Sequence, residues 1–139
     1  FADVKPAMAE YFCGAATLTP NLVEGLEMIK GGRDVAPADI ASTLSKLNNT
    51  RVFLTAAEQG IYLAEISGEV TWVEQTHRVQ VGDGSGCGDT VAAMLLLATV
   101  SGATPVEAAE LANAAGAVTV SKVGAYAPNP SEVLRMLGS

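Results

Sequence analysis

The sequence predicts an α/β fold with a mainly parallel sheet covered by helices, and three observations predict it. Short apolar strand candidates alternate along the chain with longer helical patterns, the order of a sheet buried on both faces. Glycines alternate at Gly82, Gly84, Gly86 and Gly88 between a strand candidate and an apolar helical run, the position at which parallel sheets bind ligands. The apolar mass is mostly Ala, Val and Leu, and aromatic residues make up only 5% of the chain, a composition suited to helices packed closely on a sheet.

The elements follow in order. Residues 1–4 read as the end of a strand that runs out at Lys5-Pro6, and residues 15–18 as a short strand closed by Pro20. Asn21 to Ile29 has Leu22, Val23 and Leu26 near helical spacing and stops at Gly31-Gly32. Ala36 to Leu47 is a second helix, with Pro37 in its first turn and Ile40, Leu44 and Leu47 on one face. Arg51–Thr55 reads as a buried strand. Ile61–Ile66, Val70–Glu74 and His77–Val81 read as strands separated by turns at Glu58-Gln59-Gly60 and Ser67-Gly68. From Asp89 onward the pattern is helical: Thr90 to Val100, Thr104-Pro105 to about Lys122, and a short last helix from Pro130.

At 139 residues the chain is about one domain long. Hydrophobic residues make up 49% and charged residues 17%, enough for a core and unlike a disordered chain. The net charge of −7 argues against nucleic acid or an anionic membrane as partner. No apolar run reaches the roughly 18 residues of a membrane span. Cys13 and Cys87 match no Cys-x-x-Cys pattern and read as reduced thiols of a cytoplasmic protein. The opening Phe1 suggests a chain cut from something longer.

The glycine run carries the chemistry. Residues 83–90 read Asp-Gly-Ser-Gly-Cys-Gly-Asp-Thr. Glycines permit positive φ and leave amides uncovered, and a helix starting there aims its unpaired N–H groups and positive dipole end at one spot. An anion cradle holding one acid suits phosphoryl transfer to a hydroxyl, which needs positioning, charge stabilisation and a proton acceptor. No Gly-x-x-x-x-Gly-Lys-Ser/Thr occurs, so the chain is not a P-loop protein, and no window gives Gly-x-Gly-x-x-Gly.

The segment resembles the C-terminal signature of ribokinase-like (PfkB) carbohydrate kinases, Asp-x-x-Gly-Ala-Gly-Asp, with Cys87 in place of the central Ala. Further stretches fall in that family's order. Thr19-Pro20-Asn21-Leu-Val-Glu24 is similar to Pro-Asn-x-x-Glu. Thr55-Ala-Ala-Glu-Gln-Gly60 is similar to Thr-x-Gly-x-x-Gly, with Ala57 at the first Gly. Leu111-Ala-Asn113-Ala-Ala-Gly116-Ala117 resembles the helix bordering the adenine, Lys122-Val-Gly124-Ala125 the closing Gly-Ala, and Asp3-x-Lys5-Pro6 an aspartate-containing strand end. Ser-Gly-x-Gly-Asp-Thr and Ala-Asn-Ala-Ala are most similar to the heptose-phosphate kinase branch.

The resemblance implies a ribokinase-like three-layer α/β/α architecture. Residues 1–139 would be the C-terminal, nucleotide-binding part of a single kinase domain that phosphorylates a hydroxyl of a sugar or sugar phosphate with ATP and Mg²⁺. Asp89 would take the hydroxyl proton while the amides of Gly86, Cys87, Gly88 and Asp89 hold the transferring phosphate. Asn21 and Glu24 would organise Mg²⁺ or its water shell. Thr55, Gly60 and Asn113 would border the nucleotide. Asp83, Ser85 and Gly124 would contribute to a monovalent-cation (K⁺) site, and Lys5 is a candidate phosphate contact.

Plainer readings stand beside these. An Asp at a helix start is often only a cap, and Asn21 with Glu24 is also a near-ideal capping box, a role compatible with metal binding. Cys87 fits either a thiol activated at a helix N-terminus or a simple replacement of Ala. His77 has no metal partner in sequence and reads as a surface or partly buried side chain. The N-terminal half and lid of the family lie outside these residues. The chain alone is therefore expected to be inactive, with an apolar sheet edge for the missing half, another chain or a second copy to cover. The competing functional class is a non-catalytic relic or regulatory domain that keeps the fold and binds a nucleotide or phosphate.

Overall fold

Four strands form one sheet in the order β1-β2-β3-β4 in the computed structural model, which describes residues 1–3, 5–7, 14–32 and 34–138. The chain divides into two units, Phe1–Glu74 and Gln75–Ser139. The first holds β1 (Thr17–Leu18), α1 (Leu22–Met28), α2 (Pro37–Asn48), β2 (Arg51–Thr55), β3 (Gly60–Ala64) and β4 (Val70–Glu74). The second holds α3 (Cys87–Val100), α4 (Pro105–Val120) and α5 (Pro130–Leu137).

The α/β class stands, but the sheet is mixed rather than mainly parallel. β1 pairs parallel with β2, and isolated parallel bridges Ala2–Leu18 and Asn21–Thr55 extend that direction. β2–β3 and β3–β4 are antiparallel. Loop length decides this, because a parallel return needs a crossover of about a dozen residues or more. α1 and α2 supply one between β1 and β2. β2 reaches β3 through a single 3₁₀ turn, Ala57–Gln59, and a tight turn with Gly68 N–H donating to the Glu65 carbonyl at 2.8 Å leads on to β4.

Strand alternation sends Val52 and Leu54 toward the helices, where they bury Ile40, Ala41 and Leu44 of α2 together with Leu18 and Ala64. α1 lies so close to this core that a Cβ on Gly25 would sit 2.7 Å from Leu54 Cδ1. Phe53, on the opposite face of β2, stacks against Phe1 with ring centroids 6.4 Å apart. Arg51 forks onto Glu65 across the β2–β3 pair, with Nη2 to Oε2 at 2.9 Å.

In the second unit α4 is buried along most of its length, from Ala108 and Ala109 through Ala112–Thr119. Its small residues let α3 approach: a Cβ on Gly116 would lie 3.1 Å from Val91 Cγ2 and 3.5 Å from Cys87 Sγ. α5 packs Val133 and Met136 against Ala114 and Ala115. Capping boxes with Pro at the helix start open α4 (Thr104, Glu107) and α5 (Asn129, Glu132), so both helices begin where Thr104-Pro105 and Pro130 mark them in the sequence.

Three expectations are corrected. His77–Val81 is not a strand: its residues keep a polar/apolar alternation but have no ladder partner among the described residues, and pairing rather than pattern makes a strand. α3 begins at Cys87, not near Thr90, because Gly86 caps it at φ 75°, a left-handed conformation that favours glycine. β3 ends at Ala64 rather than Ile66, where the chain turns. Of the first strand candidate, Ala2 forms one bridge and Val4 lies outside the described residues, as does Cys13. No helix among the described residues is long and apolar enough to cross a membrane.

Candidate functional site

Seven of the expected residues come together in the second unit, at the start of α3. Gly86 is the left-handed N-cap, Cys87 and Gly88 open the helix, and Asp89 is the third helical residue. The amide of Thr90 donates to Gly86 O at 3.0 Å and that of Cys87 to Gly84 O at 3.2 Å. The amides of Gly86, Gly88 and Asp89 have no acceptor among the described residues. The Asp89 side chain is exposed and makes no hydrogen bond or ion pair with a described residue. Free amides and a free carboxylate therefore share the positive end of a 14-residue helix, as an anion cradle with a proton acceptor requires.

Asp83 organises the turn that leads there. Its Oδ1 accepts the Ser85 amide at 2.9 Å and the Ser85 hydroxyl at 2.8 Å, and its Oδ2 accepts the Gly124 amide at 3.2 Å. Hydrogen bonding from the Ser85 amide, then its hydroxyl and the Gly124 amide, holds the Asp83 carboxyl below the usual range. The Gly82 amide donates to Val120 O at 2.7 Å, and a Cβ on Gly82 would meet Lys122 O at 2.8 Å. Only glycine lets the two backbones run this close. Nothing in the sequence spacing marks that role of Gly82.

Cys87 resolves one open choice. Its Sγ faces α4, 3.9 Å from Gly116 O, and burial pushes the thiol pKa up. A thiol packed against α4 fits the simple replacement of a small Ala better than an activated nucleophile. Asn113 sits in α4 at 6% exposure, with its carbonyl accepting Gln75 Nε2 at 2.8 Å. The Gln75 Oε1 accepts the His77 amide at 3.1 Å. No group of three or more His, Cys, Asp or Glu side chains able to hold a metal occurs among the described residues.

In the first unit Asn21 and Glu24 lie at the start of α1, just after β1, Thr55 at the end of β2 and Gly60 at the start of β3. Asn21 bridges to Thr55, whose amide donates to Pro20 O at 2.9 Å. The capping box is complete: Asn21 Oδ1 accepts the Glu24 amide at 2.9 Å and Glu24 Oε2 accepts the Asn21 amide at 3.0 Å. Glu24 Oε1 accepts Lys5 Nζ at 2.5 Å. Burial pushes the Glu24 carboxyl up, but the hydrogen bonds from Lys5 and Asn21 outweigh it and the net direction is down. Gly60, at φ 101°, ends the 3₁₀ turn and starts β3. Ala57, at the first glycine position of the family's turn, has φ 48°.

The second unit thus sets an amide-lined glycine turn and an exposed acid at one helix N-terminus of an α/β chain. The chain belongs to the pfkB family of carbohydrate kinases, whose profile matches residues 1–132. It is 35% identical over its whole length to the bifunctional protein HldE of Gluconacetobacter diazotrophicus, of which it covers 29%. It is 33% identical over 97% of its length to HldE of Geobacter sulfurreducens, covering 28% of that protein. Among solved structures it is similar to ribokinase from Thermotoga maritima, at TM-score 0.83 and 25% identity over 97% of this chain and 48% of that one. It also resembles Arabidopsis thaliana ribokinase complexed with ribose and ATP, at TM-score 0.81 and 26% identity over 92% of this chain and 42% of that one. The fold is thus ribokinase-like. The chain spans less than a third of the curated relatives it matches and about half or less of the solved ribokinases.

Proposed function

We propose that these residues form the nucleotide-binding, C-terminal part of a kinase domain that transfers the terminal phosphoryl group of ATP to a hydroxyl of a sugar or sugar phosphate. The observation that carries this reading is Asp89, exposed in the first turn of α3 and without a partner among the described residues, beside the amides of Gly86, Gly88 and its own N–H, which likewise have none there. The acceptor oxygen attacks the terminal phosphorus, its proton passes to the Asp89 carboxylate, and the bond to the departing ADP oxygen breaks. Amides at the helix start stabilise the charge on the transferring group. The Cys87 amide, already bonded to Gly84 O, would contribute as a shared donor.

Thr55, Gly60 and Asn113 are assigned to the nucleotide by family position. Glu24 and Asn21 are assigned to the water shell of Mg²⁺. The donor set fits that metal: Mg²⁺ is usually held by substrate phosphates, waters and one or two carboxylates, and Glu24 supplies one carboxylate, fixed by the Asn21 amide and Lys5. Bound there, Mg²⁺ would neutralise phosphate charge. Asp83, Ser85 and Gly124, joined by hydrogen bonds, are the proposed neighbourhood of a monovalent cation such as K⁺. The similarity of Ser85–Thr90 to the heptose-phosphate branch favours a sugar phosphate as acceptor.

The test is turnover of ATP by the full-length protein against a panel of sugars and sugar phosphates, beside Asp89→Ala. Loss of a general base lowers turnover about 10²- to 10⁴-fold while nucleotide binding survives. Equal turnover in both proteins removes Asp89 from the reaction. Nucleotide binding with no turnover on any acceptor favours a non-catalytic binding domain.

A further inference from the structure

The Lys5–Glu24 pair has a geometry that the capping role of Glu24 does not require. The Asn21 amide already satisfies Oε2 of Glu24, and Lys5 takes the other oxygen. The two side chains are held unequally. That of Glu24 is 14% exposed, whereas that of Lys5 is 63% exposed and also lies 3.8 Å from Asp3 Oδ2. Each carboxylate oxygen has two lone pairs, so Glu24 can keep both bonds and still accept two more. A carboxylate pinned at both oxygens is held in one orientation, since turning it would break the bond to Lys5 or to the Asn21 amide. It is preorganised to accept hydrogen bonds from the waters of a hydrated cation.

We infer that Lys5 is a positioning residue: it fixes the Glu24 carboxylate so that Glu24 accepts from the water shell of a Mg²⁺–nucleotide complex. This rests on the nucleotide-binding reading above. Lys5 acts through Glu24, so its effect is confined to the metal-dependent part of nucleotide affinity. A direct contact of Lys5 with phosphate, or a general loosening of α1, would weaken nucleotide binding with or without metal.

The experiment is calorimetric titration of the full-length protein with ADP, with Mg²⁺ or with EDTA, for the wild type, Lys5→Met, Glu24→Gln, the double variant and Lys5→Arg. Lys5→Met is expected to cut the Mg²⁺-dependent gain in affinity about three- to fivefold, the size of a partly exposed ion pair, and to leave affinity in EDTA unchanged. Glu24→Gln loses at least as much, the double variant loses no more than Glu24→Gln, and Lys5→Arg restores most of the gain. Equal losses in Mg²⁺ and EDTA, or additive losses in the double variant, overturn the inference. A wild type that binds ADP without any gain from Mg²⁺ overturns it too but leaves the kinase reading standing. A wild type that binds no ADP fails the kinase reading itself, before any substitution is made.

Discussion

The carboxylate of Asp83 accepts the amide of Gly124 at 3.2 Å, tying the turn before α3 to the loop after α4. The same carboxylate takes both donors of Ser85, so one acid shapes the whole approach to the α3 N-terminus. Its folded pKa is depressed, so its contribution is complete above the ordinary Asp range and is lost as pH falls through the lower folded value. Asp83→Ala is expected to speed hydrogen exchange at the Ser85 and Gly124 amides severalfold at neutral pH. In the wild type the loosening should appear only in acid. Unchanged exchange at Gly124 in the variant would show that the loop is held by something else.

Ala57 occupies a left-handed backbone position, φ 48°, where an L-residue costs roughly 1–2 kcal/mol. Glycine escapes that strain but loses more chain entropy on folding. Ala57→Gly is therefore expected to stabilise the protein by up to about 1 kcal/mol, an increase in urea midpoint with unchanged slope. A lower midpoint would mean that the turn relaxes away from this conformation.

The glycines of the run separate folding from binding. A methyl at Gly82 would strike Lys122 O at 2.8 Å, whereas one at Gly88 meets nothing within 4 Å. Gly82→Ala should cost about 1–3 kcal/mol in chemical denaturation. Gly88→Ala, in the first turn of α3, should leave stability equal or up to about 1 kcal/mol higher. Room in the fold means that a demand for glycine at 88 would come from a ligand. Gly88→Ala is accordingly expected to weaken nucleotide affinity, and wild-type affinity in that variant would remove Gly88 from the phosphate cradle.

Burial raises the Cys87 pKa, which lowers the thiolate fraction at neutral pH. In a Cys13→Ser background, alkylation of Cys87 should run slower than that of a free cysteine at neutral pH and quicken as pH rises. Cys87→Ala should cost no more than about 1 kcal/mol, since the lost atom is one sulfur against a small-residue helix. Fast labelling at neutral pH would show that the helix N-terminus prevails after all.

Local signals were legible wherever the chemistry was local. Asn21, Pro37, Thr104-Pro105 and Pro130 mark helix starts because a cap or a first-turn Pro acts within the helix's own first residues. Arg51–Thr55 and Val70–Glu74 emerged with their bounds intact. His77–Val81 failed because alternation describes one strand, whereas a ladder needs two. The start of α3 was missed because Gly86 caps by backbone conformation, which leaves no side-chain signature.

The candidate site divides along the same line. Order and identity alone named Asp89, its glycines, and the Asn21–Glu24 pair, because a helix start and a glycine turn are written in consecutive residues. Only three-dimensional packing brought Thr55 beside Asn21, Lys5 onto Glu24 and the Cys87 thiol against α4, and turned the family grouping of Asp83 with Gly124 into a hydrogen bond. Those partners are far apart along the chain, and their meeting depends on strand pairing and helix contact, which residue spacing does not encode.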